Sequence, residues 1–379
     1  MEKIQLFRPK FRTDECLEEI RQCLDIGWTG LGFKTIEFEN KWKDYTGLPN
    51  AHFLNSSTTG LNLAVEILKE KYKWSDNDEI ITPPLTFVST NHAILHSNLK
   101  PIFADVDEYL CLDPNDVEKK ITHKTKAIIF VGIGGNTGQY KEIENIAKKN
   151  GLKLILDAAH MAGTRFDNGE LPGKDADVVV YSFQAVKNCP TGDSGMICFK
   201  ESELDSIVRK KAWLGINKDT YSRKSNNGTY KWMYDVEYVG YKSHGNSIMA
   251  SVGLVSLKYL DVDNEYRRNI AKLYDKKLTN LTNLSFVKMA SDCVSSRHLY
   301  QIIVPKRDEL LEYLNKNDIY PGVHYRDNTE YQMYKYANGT CPKSLYYSEH
   351  VISLPLHLYI TEKEVEYISG KIKDFYYKE

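Results

Sequence analysis

The chain has 379 residues, 42% of them hydrophobic and 27% charged, with a formal net charge of −1. That length can bury a sizeable core in two units, and near-neutral charge with no long Lys/Arg block excludes nucleic acid or an anionic membrane surface as the main partner. Seven scattered cysteines without C-x-x-C spacing, no membrane-length apolar run and no targeting core after Met1 point to reduced thiols, a cytoplasmic location and no metal centre.

Between residues 51 and 199 short β-rich runs alternate with helical patterns, as in a mostly parallel sheet covered by helices. Strands are expected at 79–82, 101–104, 126–131, 152–156, 178–181 and 196–199. Helices are expected at 61–71, 90–96, 114–120 and 141–149, where apolar residues recur every three or four positions. Asp113 followed by Pro114 is a good cap and first-turn pair for the third of these. The polar, aperiodic stretch 217–228 reads as a long loop. A long helix begins near Ser247, and the mixed pattern over 285–377 belongs to a smaller unit, so the chain divides into 1–246 and 247–379.

Two side chains in the first unit carry the chemistry. Asp157 ends the apolar run Leu152-Lys153-Leu154-Ile155-Leu156, and Lys187 lies just past the run Val178-Val179-Val180-Tyr181, in a turn closed by Gly192 and Gly195. Ligands of parallel α/β sheets bind beyond the carboxyl ends of strands. Taken singly, an aspartate there is usually a cap and a lysine usually a solvated charge. Together they are the two protein groups that pyridoxal phosphate needs, a carboxylate for the ring nitrogen and an amine for the aldehyde. Ser57 and Thr58, in Asn55-Ser56-Ser57-Thr58-Thr59-Gly60 before an apolar-periodic helix, offer a phosphate site at a helix N-terminus, and Phe87 is placed to stack on the ring.

These segments, in this order, resemble the DegT/DnrJ/EryC1/StrS family of sugar aminotransferases over nearly the whole chain. The resemblance runs from Gly27-Trp28-Thr29-Gly30 through Pro84-Leu85-Thr86-Phe87, Asp157-Ala158-Ala159-His160 and Ser182-Phe183-Gln184-Ala185-Val186-Lys187. It continues in Gly240-Tyr241-Lys242-Ser243-His244, Arg297-His298-Leu299-Tyr300, Gly322-Val323-His324-Tyr325 and Ser353-Leu354-Pro355-Leu356-His357. It implies an α/β fold of the aspartate-aminotransferase type (fold type I), with a large mostly parallel-sheet domain and a smaller C-terminal α+β domain. It also implies Lys187 as the Schiff-base lysine, Asp157 on the ring nitrogen and His160 near the phenolic oxygen. Ser182 joins Ser57 and Thr58 at the phosphate, with Lys242 reaching in from the second subunit of a homodimer that shares its active sites. Trp28, Thr29, His324 and Tyr325 fall at the substrate.

The implied reaction moves an amino group from L-glutamate to a nucleotide-linked keto sugar. Thr191-Gly192-Asp193-Ser194-Gly195 resembles 4-aminating members and favours a 4-keto-6-deoxyhexose, whereas Lys187-Asn188 resembles some 3-aminating ones. A non-catalytic cofactor-binding regulator and a lyase acting on an amino acid are the other readings. Gln184 stands where many members have His, and Gly132 and Gly134 replace the His and Tyr of a frequent V-H-x-Y-G pattern.

Overall fold

The computed structural model describes residues 3–217 and 234–377. Of the loop expected over 217–228, all but Asn217 lies outside the described residues. The chain opens with β1 (Ile4–Gln5), α1 (Thr13–Ile26), α2 (Phe33–Thr46), β2 (Asn50–Leu54) and α3 (Ser57–Tyr72). It continues through β3 (Glu79–Thr82), α4 (Ser89–His96), β4 (Lys100–Phe103), α5 (Pro114–Lys120), β5 (Thr125–Val131), α6 (Tyr140–Lys149) and β6 (Lys153–Asp157). After β7 (Arg165–Phe166) come β8 (Val178–Ser182), β9 (Gly195–Phe199), α7 (Ser202–Lys211) and the long α8 (Ser247–Leu278).

Local chemistry sets these boundaries. Ser56 caps α3 by accepting from the Thr59 N–H at 3.1 Å, Asp113 caps α5 ahead of Pro114, and Asn246 caps α8 by accepting from Met249 N–H at 2.9 Å. The central sheet has the order β2-β9-β8-β6-β5-β3-β4, and only β9 runs against the others. Alternate residues of β5 go to opposite faces: Ile128 and Phe130 join one core with Phe38 and Trp42, while Ala127 and Ile129 join another with Leu61 and Val180. β2 was not among the expected strands. It lies at the sheet's edge and carries a buried polar residue, His52, whose ring nitrogen meets Glu39 at 2.9 Å.

The C-terminal part adds β10 (Ser285–Phe286), β11 (Cys293–Val294), β12 (Tyr300–Ile303), α9 (Arg307–Asn315), β13 (Ile319–Tyr320), α10 (Pro342–His350), β14 (Val351–Leu354) and α11 (Glu362–Tyr377). β10, β12 and β14 form an antiparallel sheet, and β1 pairs with β13. α8 serves both parts: Ala250 and Leu260 pack in the core with Phe38, whereas Ile270, Tyr274 and Leu278 pack with Ile302 and Ile352. No described helix is long and apolar enough to cross a membrane.

Candidate active site

Beyond the carboxyl ends of β5, β6 and β8 lies a cavity of about 520 Å3. It brings together Ser57, Thr58, Phe87, Asp157, His160, Ser182, Lys187, His324 and Tyr325. Strand geometry explains the convergence, since Asp157 is the last residue of β6 and Ser182 the last of β8, while Phe87 and Lys187 follow β3 and β8 directly. The phosphate-sized end is built by close approach. A Cβ on Gly195 of β9 would lie 2.6 Å from the Ser57 nitrogen, so only glycine lets the first turn of α3 sit against the sheet. Ser57 and Thr58 occupy the first two helical positions, where backbone N–H groups have no intrahelical acceptor.

Asp157 is buried, and each oxygen takes one bond: Oδ2 accepts from Thr90 Oγ1 at 2.7 Å and Oδ1 from the Ala159 N–H at 3.1 Å. Burial raises its pKa, and those two bonds and the Lys187 charge oppose the rise. Lys187 lies at the cavity wall, where loss of water pushes its amine down to about 8 against the pull of Asp157. Near neutral pH a larger share of such amines is neutral than for an ordinary lysine. His160 and His298 are both buried, with ring centroids 4.3 Å apart, and burial holds both neutral, their pKa values well below the ordinary one.

Three expected residues lie elsewhere. Trp28 donates its ring N–H to the Leu31 carbonyl at 2.7 Å, the Thr29 carbonyl accepts from Ser247 at the start of α8, and the exposed Lys242 amine sits 4.9 Å from the centre of the Trp213 ring. None of the three lines the cavity of its own chain. Conversely, Phe7, Gln184, Asp193 and His298 line it without having been assigned a role from sequence, and Thr90 supports Asp157 from behind. Thr90 and His298 stood inside recognisable motifs, but nothing along the chain said what they touch.

The side chains fit pyridoxal phosphate. A buried carboxylate with spare acceptor capacity suits a protonated ring nitrogen, a part-neutral lysine suits an aldehyde, and the α3 N-terminus with Ser57, Thr58 and Ser182 suits a phosphate. When bound, the cofactor supplies an electron-accepting ring through which an amino group is carried from one carbonyl to another.

Comparison with known proteins agrees. The model of the DegT/DnrJ/EryC1/StrS aminotransferase family matches residues 11–373. The spore coat polysaccharide biosynthesis protein SpsC of Bacillus subtilis is 32% identical over 372 residues, covering 95% of this chain and 94% of its own. The dTDP-4-dehydro-2,3,6-trideoxy-D-glucose 4-aminotransferase of Saccharopolyspora spinosa is 29% identical, covering 98% and 96%. Among solved structures, the PLP form of Spr1654 from Streptococcus pneumoniae superposes with a TM-score of 0.90 at 27% identity, covering 99% of each chain. The chain therefore belongs to the DegT/DnrJ/EryC1/StrS aminotransferase family and is a pyridoxal-phosphate-dependent sugar aminotransferase of fold type I.

Proposed function

We propose that the enzyme transfers an amino group from L-glutamate to a nucleoside-diphosphate-linked 4-keto-6-deoxyhexose, for amino-sugar or surface-polysaccharide synthesis. The juxtaposition of Asp157 and Lys187 in one cavity carries the catalytic reading, and the 4-aminating relative supports the keto position. In this reading Lys187 holds the cofactor and, once released as a neutral amine, moves the proton between the donor carbon and the cofactor. Asp157 keeps the ring nitrogen charged, while Ser57, Thr58 and Ser182 hold the phosphate and Phe87 covers the ring. His324 and Tyr325 face the substrate. A regulator without turnover would not need an amine placed to move a proton.

The working unit is a homodimer in which Lys242, Trp28 and Thr29 complete the partner's cavity. Two observations support this: all three lie outside their own cavity, and Leu214, Val236, Val239 and Tyr241, on the paired segments that carry Lys242, are exposed apolar side chains suited to a second copy. The working division is a large cofactor-binding unit, 1–246, and a smaller unit, 247–379, with α8 reaching into both cores. Seven free thiols suit a reducing cytoplasm.

The test is turnover with glutamate on a panel of nucleotide-linked 4-keto and 3-keto sugars. Amination of a 4-keto-6-deoxyhexose is the expected result. Exclusive use of 3-keto sugars, or no turnover on any member by cofactor-loaded protein, refutes the acceptor assigned here.

A further inference from the structure

Backbone and amide partners behind the cavity set the polarity of its hydrogen bonds. The Gly134 backbone N–H is a donor and meets Nδ1 of His160 at 3.1 Å, so that nitrogen is the acceptor of a neutral ring. The single ring proton of His160 is therefore on Nε2, which faces the Tyr325 hydroxyl at 3.1 Å and donates to it. Tyr325, having accepted there, keeps its own proton for another acceptor. The neighbouring histidine has the opposite tautomer. The Asn188 amide nitrogen donates to Asn264 Oδ1 and to the Ser296 carbonyl, both at 2.7 Å, which leaves its oxygen against His298 Nδ1 at 2.9 Å. His298 thus carries its proton on Nδ1, pointing away, and its Nε2 is an acceptor.

This bears on the cofactor in the reading given above, on which the inference rests. With the ring nitrogen at Asp157, the aldehyde carbon at Lys187 and the phosphate at Ser57 and Thr58, the phenolic oxygen would face the rest of the cavity lining, which includes His160, His298, His324 and Tyr325. We propose that Tyr325 is the donor to the phenolic oxygen, and that His160, fixed in one tautomer by Gly134, is a positioning residue that aims the tyrosine. His160 has no proton left to give that oxygen itself, and His298 offers only a lone pair. Tyr325 is held further by Phe87, 6.0 Å away between ring centres. The charged and titratable groups facing it are Asp157, Lys187, His160, His298 and His324; burial keeps the tyrosine protonated by raising its pKa, and it lowers that of His324 to about 4.

A donor on the phenolic oxygen stabilises its anionic form and so lowers the pH at which the lysine-bound cofactor loses its proton. The measurement is the pH midpoint of the visible absorption band of the holoenzyme, with cofactor content read independently after alkaline release. Tyr325→Phe is expected to raise that midpoint by about one pH unit, equivalent to ~1.4 kcal/mol, while cofactor content stays near one per chain. His160→Leu, which frees Tyr325 to turn, is expected to raise it by less. A midpoint unmoved in Tyr325→Phe, or moved only in His160→Leu or His324→Phe, overturns the assignment while leaving the cofactor reading intact. Wild-type protein with no visible band overturns both.

Discussion

Thr90 Oγ1 donates to Asp157 Oδ2 across 2.7 Å, from the first turn of α4 to the end of β6, and this side-chain bond favours the ionised carboxylate against the burial that raises its pKa. Replacing Asp157 by Asn leaves the shape of the cavity but no negative charge for the ring nitrogen. Turnover with glutamate should fall at least about a hundredfold, the usual scale for one well-placed catalytic electrostatic group. Thr90→Val should fall between wild type and that variant, because it removes one hydrogen bond rather than the charge. Near-normal rates in Asp157→Asn would rule out the role.

Lys187 should be the residue to which borohydride fixes the cofactor. Peptide mapping of the reduced holoenzyme is expected to place the adduct there, and Lys187→Ala should give no adduct and lose activity by several orders of magnitude. Recovery of the adduct on another lysine would move the site.

Lys187 also predicts how the cofactor-free protein responds to pH. Its folded pKa, about 8, is below the ordinary lysine value, so between roughly pH 8 and 10.5 the unfolded chain binds the extra proton and folding stability from this group rises with pH. Below pH 8 the group costs the fold on the order of 3 kcal/mol. Lys187→Met should therefore be more stable than wild type at neutral pH in urea titrations, with the difference closing toward pH 10.5. Equal stability at pH 7 would mean that the amine is better solvated than the cavity implies.

Lys242→Ala tests the shared site. If the lysine reaches the partner's phosphate, cofactor retention on dilution should weaken by roughly tenfold or more, with melting of the cofactor-free protein unchanged. A monomer at micromolar concentration that keeps its cofactor, or a dimer whose affinity ignores the substitution, would count against it.

Gly195→Ala probes the seat of the phosphate. The new methyl would meet the Ser57 nitrogen at 2.6 Å and the Ser56 carbonyl carbon at 2.7 Å, both backbone atoms that cannot swing aside. The expected cost is about 1–3 kcal/mol of stability, with cofactor affinity falling more than stability because the α3 N-terminus is what moves. A chemical denaturation curve beside a cofactor titration separates the two effects.

Much of this site was readable because parallel sheets deliver ligands' partners at strand ends. Asp157 and Lys187 follow apolar runs that read as buried strands, and Ser57 and Thr58 open a helix whose apolar spacing is plain. What could not be read is what meets across the sheet. Thr90 and Asp157 are 67 residues apart, His298 and Asn188 are 110 apart, and the tautomer of His160 depends on the backbone of a glycine 26 positions earlier. The same holds for β2, whose central histidine looks wrong for a strand until Glu39 is seen beside it.

The 32-residue helix α8 sets the terms on which the chain comes apart. It is about 48 Å of continuous hydrogen-bonded rod, one end walled in with Phe38 and the other with Ile302. Neither core can lose order without stripping partners from a rod the other still grips, so heat should melt the whole protein in one calorimetric transition. A chain cut after Asn246 would bare the face that Ala250 and Leu260 cover, and it would aggregate rather than fold alone.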